Sequence, residues 1–284
     1  MTTGTDKSNM KILMILKSSL LVVHLLVFSG PIAAAEPDGQ EWQKKVKGFS
    51  KGIHPEIRPL TLTYKMSWNG AIESGRATIV SGKPHKNSKK LFLMQAFGRS
   101  TGAAGALFPF SFVYNSFTQK GSNRPLVFVS RETDHSEVTD IKNIYRKDKV
   151  EHTRKDTRKS NGKEKKRGHA FSQRNLHDPL SAMLYLRARS LKNGDVVHMA
   201  LHPFRSPQYA QITVLGREKH RGYSCIKLDL KINNIDKDTK NLKPYKKMKK
   251  ATLWISDDAD RILVELRSKV FIGDVRMVLT GRDR

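Results

Sequence analysis

The stretch from Ala251 to Gly281, ATLWISDDADRILVELRSKVFIGDVRMVLTG, constrains this chain more than any other. Leu253 and Ile255 alternate up to Asp257-Asp258-Ala259-Asp260. Ile262, Val264, Leu266, Val270 and Ile272 then share one parity up to Gly273-Asp274, and Val275, Met277 and Leu279 alternate again. An apolar period of two, broken by turn residues, describes three short strands of an antiparallel meander with one buried face. Earlier strands need a sheet to pair with, and this meander is the clearest candidate.

Such strands are readable upstream. In LTLTYKMSWNG, Leu62, Tyr64, Met66 and Trp68 share a face before Asn69-Gly70, the strongest short hairpin signal, with Arg76 to Val80 as partner strand. After a basic loop over residues 81–90, further strands are expected at 91–96, 127–130, 137–147, 196–201, 209–215 and 223–232, with another basic loop at 236–250. One helix interrupts them. Asp178 is a good N-cap, Pro179 suits the first turn, and Leu180, Met183, Leu184, Ala188 and Leu191 form a stripe that Asn193-Gly194 ends. It is expected to pack across the sheet or plug a barrel mouth.

Between Thr101 and Phe117 lies an aromatic-rich run in which Phe108, Phe110, Phe112 and Tyr114 would share one face as a strand; the alternative is that the Gly102-Ala103-Ala104-Gly105 lead-in is a short helix or a mobile flap. These rings either fill the core or, with Trp68 and Trp254, line an apolar ligand cavity. Residues 147–168, KDKVEHTRKDTRKSNGKEKKRG, lose the apolar pattern and read as a solvated hairpin tip, a basic insertion loop. Arg154, Lys155, Arg158, Lys159, Lys163, Lys165, Lys166 and Arg167 are the candidate anion-binding residues there. With no aromatics interleaved, base stacking on nucleic acid is not expected.

Composition bears on partner and compartment. In 284 residues, 53 Lys+Arg stand against 26 Asp+Glu, a formal net charge of +27. That implies contact with something anionic, or else only a solvated basic surface. Lys7, Lys11 and Lys17 precede or interrupt an apolar run from Ile12 to Phe28, followed by Ala33-Ala34-Ala35. This is the layout of a signal peptide over 1–35, cleaved after Ala35, with Met1 or Met10 as start. The rival, a membrane anchor, is disfavoured by the break at Lys17-Ser18-Ser19 and by Gly30-Pro31. Residues 36–59 read as a polar lead-in and 60–284 as one β-rich domain. The sole cysteine, Cys225, is far from the cleavage point, so the chain is read as a periplasmic or secreted protein and not a lipoprotein. Export turns the expected partner from nucleic acid to a lipid or polysaccharide of the cell envelope or an anionic membrane surface.

Chemistry is sought and mostly not found. His198 and His202 would lie about 13 Å apart on a strand, too far for one ion. Asp257, Asp258 and Asp260 lack calcium-loop spacing. There is no G-x-S-x-G elbow. Cys225 with His220 is a weak nucleophile–base pair, and Glu73, Asp178, Asp229 and Glu265 show no glycosidase spacing. No catalytic residue, metal or cofactor is assigned.

Three collinear segments carry a resemblance: Leu62 to Ile79 with Tyr64, Trp68, Gly70 and Gly75; His177 to Leu191 with Asp178, Ser181, Tyr185, Leu186 and Arg187; and Leu253 to Leu279 with Trp254, Ser256, Asp258, Arg261 and Gly273. Together the chain resembles the exported bacterial family catalogued as domain of unknown function 3108. The resemblance implies an exported, mainly β domain: a strongly curved antiparallel sheet or partial barrel with meander connections. It implies no activity. The expected function is non-enzymatic binding of an apolar or amphipathic envelope ligand; a hydrolase with dispersed residues and an adaptor for an acidic protein are the alternatives.

Overall fold

The computed structural model describes residues 40–54, 58–85, 88–245, 250–270 and 273–283. The expected signal segment, residues 1–35, and Ile272 lie outside them. In chain order the strands are β1 (Leu60–Trp68), β2 (Ile72–His85), β3 (Ser88–Ser100), β4 (Ser111–Gln119), β5 (Pro125–Thr133), β6 (Glu137–Tyr145), β7 (Lys149–Arg158) and β8 (Glu164–Ser172). Then come β9 (Leu176–His177), β10 (Val196–Leu201), β11 (Gln208–His220), β12 (Tyr223–Ile235), β13 (Leu242–Pro244), β14 (Lys250–Ser256), β15 (Leu263–Lys269) and β16 (Asp274–Asp283). Among the described residues three helices accompany them: α1 (Glu41–Lys45), α2 (Gly102–Leu107) and α3 (Pro179–Arg187).

All the strands form one sheet, ordered 8-7-6-5-4-3-2-1-16-15-14-12-11-10-9, with β13 beside β12. The first strand pairs with the last, Tyr64 opposite Leu279 and Met66 opposite Met277, so two meanders run outward from the middle. The closing meander thus supplies the edge on which the earlier strands add. Asn69 locks the β1–β2 turn to the β15–β16 turn: its N–H donates to Asp274 O and its Oδ1 accepts from Asp274 N, both at 2.8 Å. Gly273 sits there at φ +78°, where a Cβ would strike the Asn69 side chain.

Alternation decides what faces inward. Leu60, Leu62, Tyr64 and Met66 of β1 and Phe112 and Tyr114 of β4 enter the principal core. The parity expected through β15 fails at one point. Trp254 lies opposite Glu265 but Ile255 opposite Leu263, a bulge that turns Val264 to the other face, against Trp254 and Cys225.

Residues 147–168 form a hairpin, as read from the sequence, but a laddered one that belongs to the sheet, with one face of β7 buried. β7 and β8 pair from Lys149↔Ser172 to Thr157↔Glu164, leaving only a short turn between them. The inward positions of β7 are Val150, His152, Arg154 and Asp156, all buried. Arg154 and Asp156 meet at 2.5 Å, and Thr139 and Arg167 also bind the carboxylate. Charges that satisfy one another can occupy inward positions that a search for apolar residues passes over.

The sheet curves but does not close. Its end strands, β8 and β9, are joined by three residues in sequence, yet no ladder connects them. Side chains bridge the gap. Asn143 Nδ2 and Tyr145 Oη donate to His202 O at 2.9 and 2.7 Å, and His152 Nδ1 meets Asn143 Oδ1 at 2.7 Å. His169 Nε2 and His202 Nε2 lie 3.2 Å apart, and Lys237 Nζ is 3.0 Å from His169.

Burial holds all three imidazoles below the ordinary histidine range, His152 down to about 3, with His169 and Lys237 adding to the effect on both His152 and His202. The unfolded chain therefore takes up protons first on acidification, and each fully depressed histidine costs ~1.4 kcal/mol per pH unit below about 6.5. Urea midpoints are expected to fall between pH 6.5 and 5, above the carboxylate range, with a shallower slope in His152→Gln. A flat midpoint over that interval would show that these histidines are not buried neutral.

Candidate ligand cavity

α3 lies inside the curve of the sheet, and both its ends are anchored. At the N-terminus, fully buried Asp178 accepts from Leu180 N (2.8 Å), Ser181 N (2.9 Å) and the Ser116 hydroxyl of β4 (2.6 Å), while Ser181 Oγ accepts from Asp178 N. Burial pushes this carboxyl up; the hydrogen bonds pull the other way. At the C-terminus, Arg261 in the β14–β15 turn donates to the carbonyls of Arg187, Arg189 and Ser190. Arg187 donates back to Asp260 O (3.0 Å), Ala259 O (3.1 Å) and His54 O (3.1 Å). Asp258 Oδ1 shapes that turn by accepting from Asp260 N, Arg261 N and the Ser256 hydroxyl. This lock ends the helix at Arg187, before the Asn193-Gly194 stop signal. α3 is accordingly buried nearly all round rather than along one stripe.

Beneath α3 the core is not filled. A cavity of about 290 Å³ runs between the helix and the sheet. Ile79 of β2, Leu180, Met183 and Leu186 of α3, Met199 of β10, Ile212 of β11 and Leu253 of β14 form much of its wall. Ala77, Ala96, Ala182 and Ala210 also face it, and short side chains there leave the space. Gly98 helps: a Cβ would lie 2.7 Å from the Phe112 ring, which therefore beds against the β3 backbone.

Few polar groups reach the cavity, and three of their atoms are buried without a hydrogen-bond partner: Gln208 Nε2, Ser268 Oγ and Arg261 Nε. No Asp, Glu, His or Cys is among its described lining residues. Native interiors rarely leave buried polar atoms unpaired, and these three face the same apolar space.

The sequence candidates divide. Phe112 and Tyr114 line the cavity, their rings 4.7 Å apart. Phe110 packs beside Phe112 at the core margin, and Phe108 follows α2, outside β4. The expected four-ring stripe is cut because Thr101 to Phe110 forms a short helix and an irregular link, not strand. Trp68 belongs to a separate cluster with Val270 and Val275. Trp254 faces away from the cavity, stacked on His220 at 4.3 Å and donating to Glu218. The four alanines, Gln208 and Ser268 were missed; small residues at inward parity were the only signal for the alanines and Ser268, and Gln208 carried none.

Among the cationic candidates, Arg154 is consumed by Asp156 inside the barrel, and Arg167 binds the same carboxylate at 2.7 Å. Lys155 and Lys166 flank Glu164, and Lys159 reaches Asp134 O. Arg158, Lys163 and Lys165 are exposed at the hairpin end. Three of the candidates, Lys165, Lys166 and Arg167, lie on β8, an edge strand, where Lys and Arg block pairing with another chain. Arg131, Lys142, Lys155 and Lys166 also border an open groove of about 950 Å³ whose lining includes Val113 and Val129.

Cys225 is buried on the outer face, its thiol pushed up to about 11 by burial, with its sulfur toward His220 O. That is the opposite of an activated nucleophile. Glu265, fully buried, accepts from His220, Arg221 and Arg267. Among the described residues no three His, Cys, Asp or Glu are placed to hold a metal, and no helix is long and apolar enough to cross a membrane.

These features define a barrel-like β protein wrapped around one helix with an internal apolar cavity. The chain belongs to the family described as "Protein of unknown function (DUF3108)", whose sequence model matches residues 63–280. Its fold is similar to that of a beta-barrel-like protein of domain of unknown function DUF1849 from Brucella abortus, at 10% identity and TM-score 0.52, covering 80% of this chain and 98% of that one. Looser similarity, too weak to define a fold, extends to a YmcC-like protein from Bacteroides fragilis (8% identity, TM-score 0.34, 84% and 99% covered). The same holds for lipoprotein LppX of Mycobacterium tuberculosis (11%, 0.24, 79% and 85%). No curated protein matches the sequence.

Several residues that carry the family resemblance, Asp178, Ser181, Arg187, Ser256, Asp258 and Arg261, thus turn out to hold α3 in place. Asp178→Ala removes the cap and strands the Ser116 hydroxyl, and is expected to cost about 2–4 kcal/mol in urea unfolding, against about 1 kcal/mol for Ser116→Ala. Equal, small losses would mean that the cap does not anchor the helix.

Proposed function

We propose that this protein is exported and binds an apolar or amphipathic molecule between α3 and the sheet, holding it without chemical change. The cavity carries the reading. A dry void of about 290 Å³ would forfeit roughly 7 kcal/mol relative to a filled core, comparable to the whole stability of many domains. An occupant removes that cost. At ~30 Å³ per water-sized unit the space suits about ten methylene-sized groups, a single short acyl chain or its equivalent. The lining supports binding over turnover, since it has no carboxylate, imidazole or thiol to move a proton or attack a bond. Export rests on the basic, apolar and small-residue sequence of residues 1–35, with release after Ala35 into the periplasm. The basic outer surface would then meet anionic lipid or polysaccharide.

Native mass spectrometry of protein purified from the periplasm is expected to show a mass excess lost on denaturation. Binding of the neutral dye N-phenyl-1-naphthylamine is expected to fall at least tenfold in Ala96→Leu and Ala210→Leu, each with an unaltered circular dichroism spectrum. Unchanged dye affinity in both folded variants would remove the cavity as the binding site.

A further inference from the structure

At the C-terminal end of α3 the cavity adjoins a small cleft of about 50 Å³; Ile79, Met183, Arg187, Arg261 and Leu263 border both. The far side of the cleft includes Arg58 and Asp260. The apolar space therefore ends among guanidinium groups. Arg261 is 8% exposed, and three of its hydrogen bonds go to the backbone carbonyls of Arg187, Arg189 and Ser190, which carry no net charge; its Nε–H has no acceptor. Arg58 is half-exposed, and its nearest carboxylate among the described residues, Asp260, lies 3.8 Å away, beyond hydrogen-bond length. Asp260 itself is bound by Arg282, as is Asp258, while Asp257 is bound by Arg217. Among the described residues meeting here, Arg58, Arg187, Arg217, Arg261 and Arg282 stand against Asp257, Asp258 and Asp260, with Asp257 and Arg217 both acting on Arg261.

A buried guanidinium without matching negative charge is costly, because desolvation is recovered only by a close counter-charge and filled hydrogen bonds. The opposite end of the cavity differs: near the start of α3, its lining includes Phe112, Tyr114, Phe204 and the uncharged Gln208. The cavity is thus polarised, cationic at one end.

We propose that the occupant is a single-chain anionic amphiphile, its chain lying beneath α3 and its acidic headgroup at Arg261 and Arg58. This rests on the cavity reading above and adds the charge and direction of the ligand. The headgroup oxygen supplies the acceptor that Arg261 Nε–H lacks and a counter-charge to Arg58. The chain fills the space that the four alanines leave. Planar guanidinium groups suit such a headgroup because they present paired donors to carboxylate or phosphate oxygens.

The test is displacement of N-phenyl-1-naphthylamine from the full mature protein by four probes: decanoate, decanol, decyltrimethylammonium and acetate. Decanoate is expected to bind at least tenfold more tightly than decanol, and decyltrimethylammonium more weakly than decanol. Acetate, which has the charge but no chain, is expected not to displace the dye. Arg58→Gln, at a half-exposed position, is expected to narrow the decanoate-to-decanol ratio at least threefold, and Arg261→Lys to narrow it further. Equal binding of decanoate and decanol would overturn the headgroup assignment and leave the cavity reading intact. Displacement by acetate would show a surface anion site and overturn the amphiphile. If the dye itself fails to bind, both readings fall.

Discussion

Arg187 and Arg261 exchange backbone hydrogen bonds across the end of α3, each donating to carbonyls of the segment that carries the other. With Asp178 anchored on β4 through Ser116, the exchange suspends a helix of nine residues inside a sheet that would otherwise have to collapse on itself. A helix held at its ends need not be packed tightly along its length. That is how an interior space can persist beneath it: the helix is fixed by directional bonds at its termini, so the alanines below are not compressed into contact. The guanidinium groups doing the holding are also the cations at one end of the cavity, which ties the architecture of the helix to the chemistry of the space.

The sheet shows a related economy at its ends. A ladder between β8 and β9 would have made a closed barrel; instead, His152, His169, His202, Asn143 and Tyr145 bridge the two ends of the sheet through side chains. Backbone ladders are insensitive to mild acid, whereas neutral buried imidazoles are not. The seam is therefore a part of the wall whose strength depends on pH, as is His177 of β9, which burial also holds far below the ordinary range. Residues from β6, β7, β8 and the segment after β10 contribute to it, so no single local segment reveals it.

Much of the architecture was legible because a half-buried strand writes its orientation into alternate residues. Leu62, Tyr64 and Met66, the Asn69-Gly70 turn, and the Asp178-Pro179 helix start all lie where local rules put them. The rules failed where neighbours in space override sequence. Arg154 and Asp156 read as loop because charge on a strand looks solvated until its partner is known. Val264 follows the parity of Ile262 and Leu266 in sequence, yet one bulged residue sends it outward. Phe108 and Phe110 share parity with Phe112, but a short helix ahead of β4 means that they never share its strand.

By itself the sequence determined the class of protein: a mainly β chain, one internal helix with its cap, a strongly basic surface, and membership of a family through residues that turn out to hold that helix. These are local or additive properties, set by period, turn chemistry and charge count. Only the tertiary structure decided that the first strand pairs with the last, that histidine side chains bridge the ends of an unclosed sheet, and that Ala77, Ala96, Ala182 and Ala210 converge on one space with an arginine at its end. An alanine in a strand costs nothing to write and signals nothing alone. It becomes a cavity wall only when distant elements bring several of them face to face.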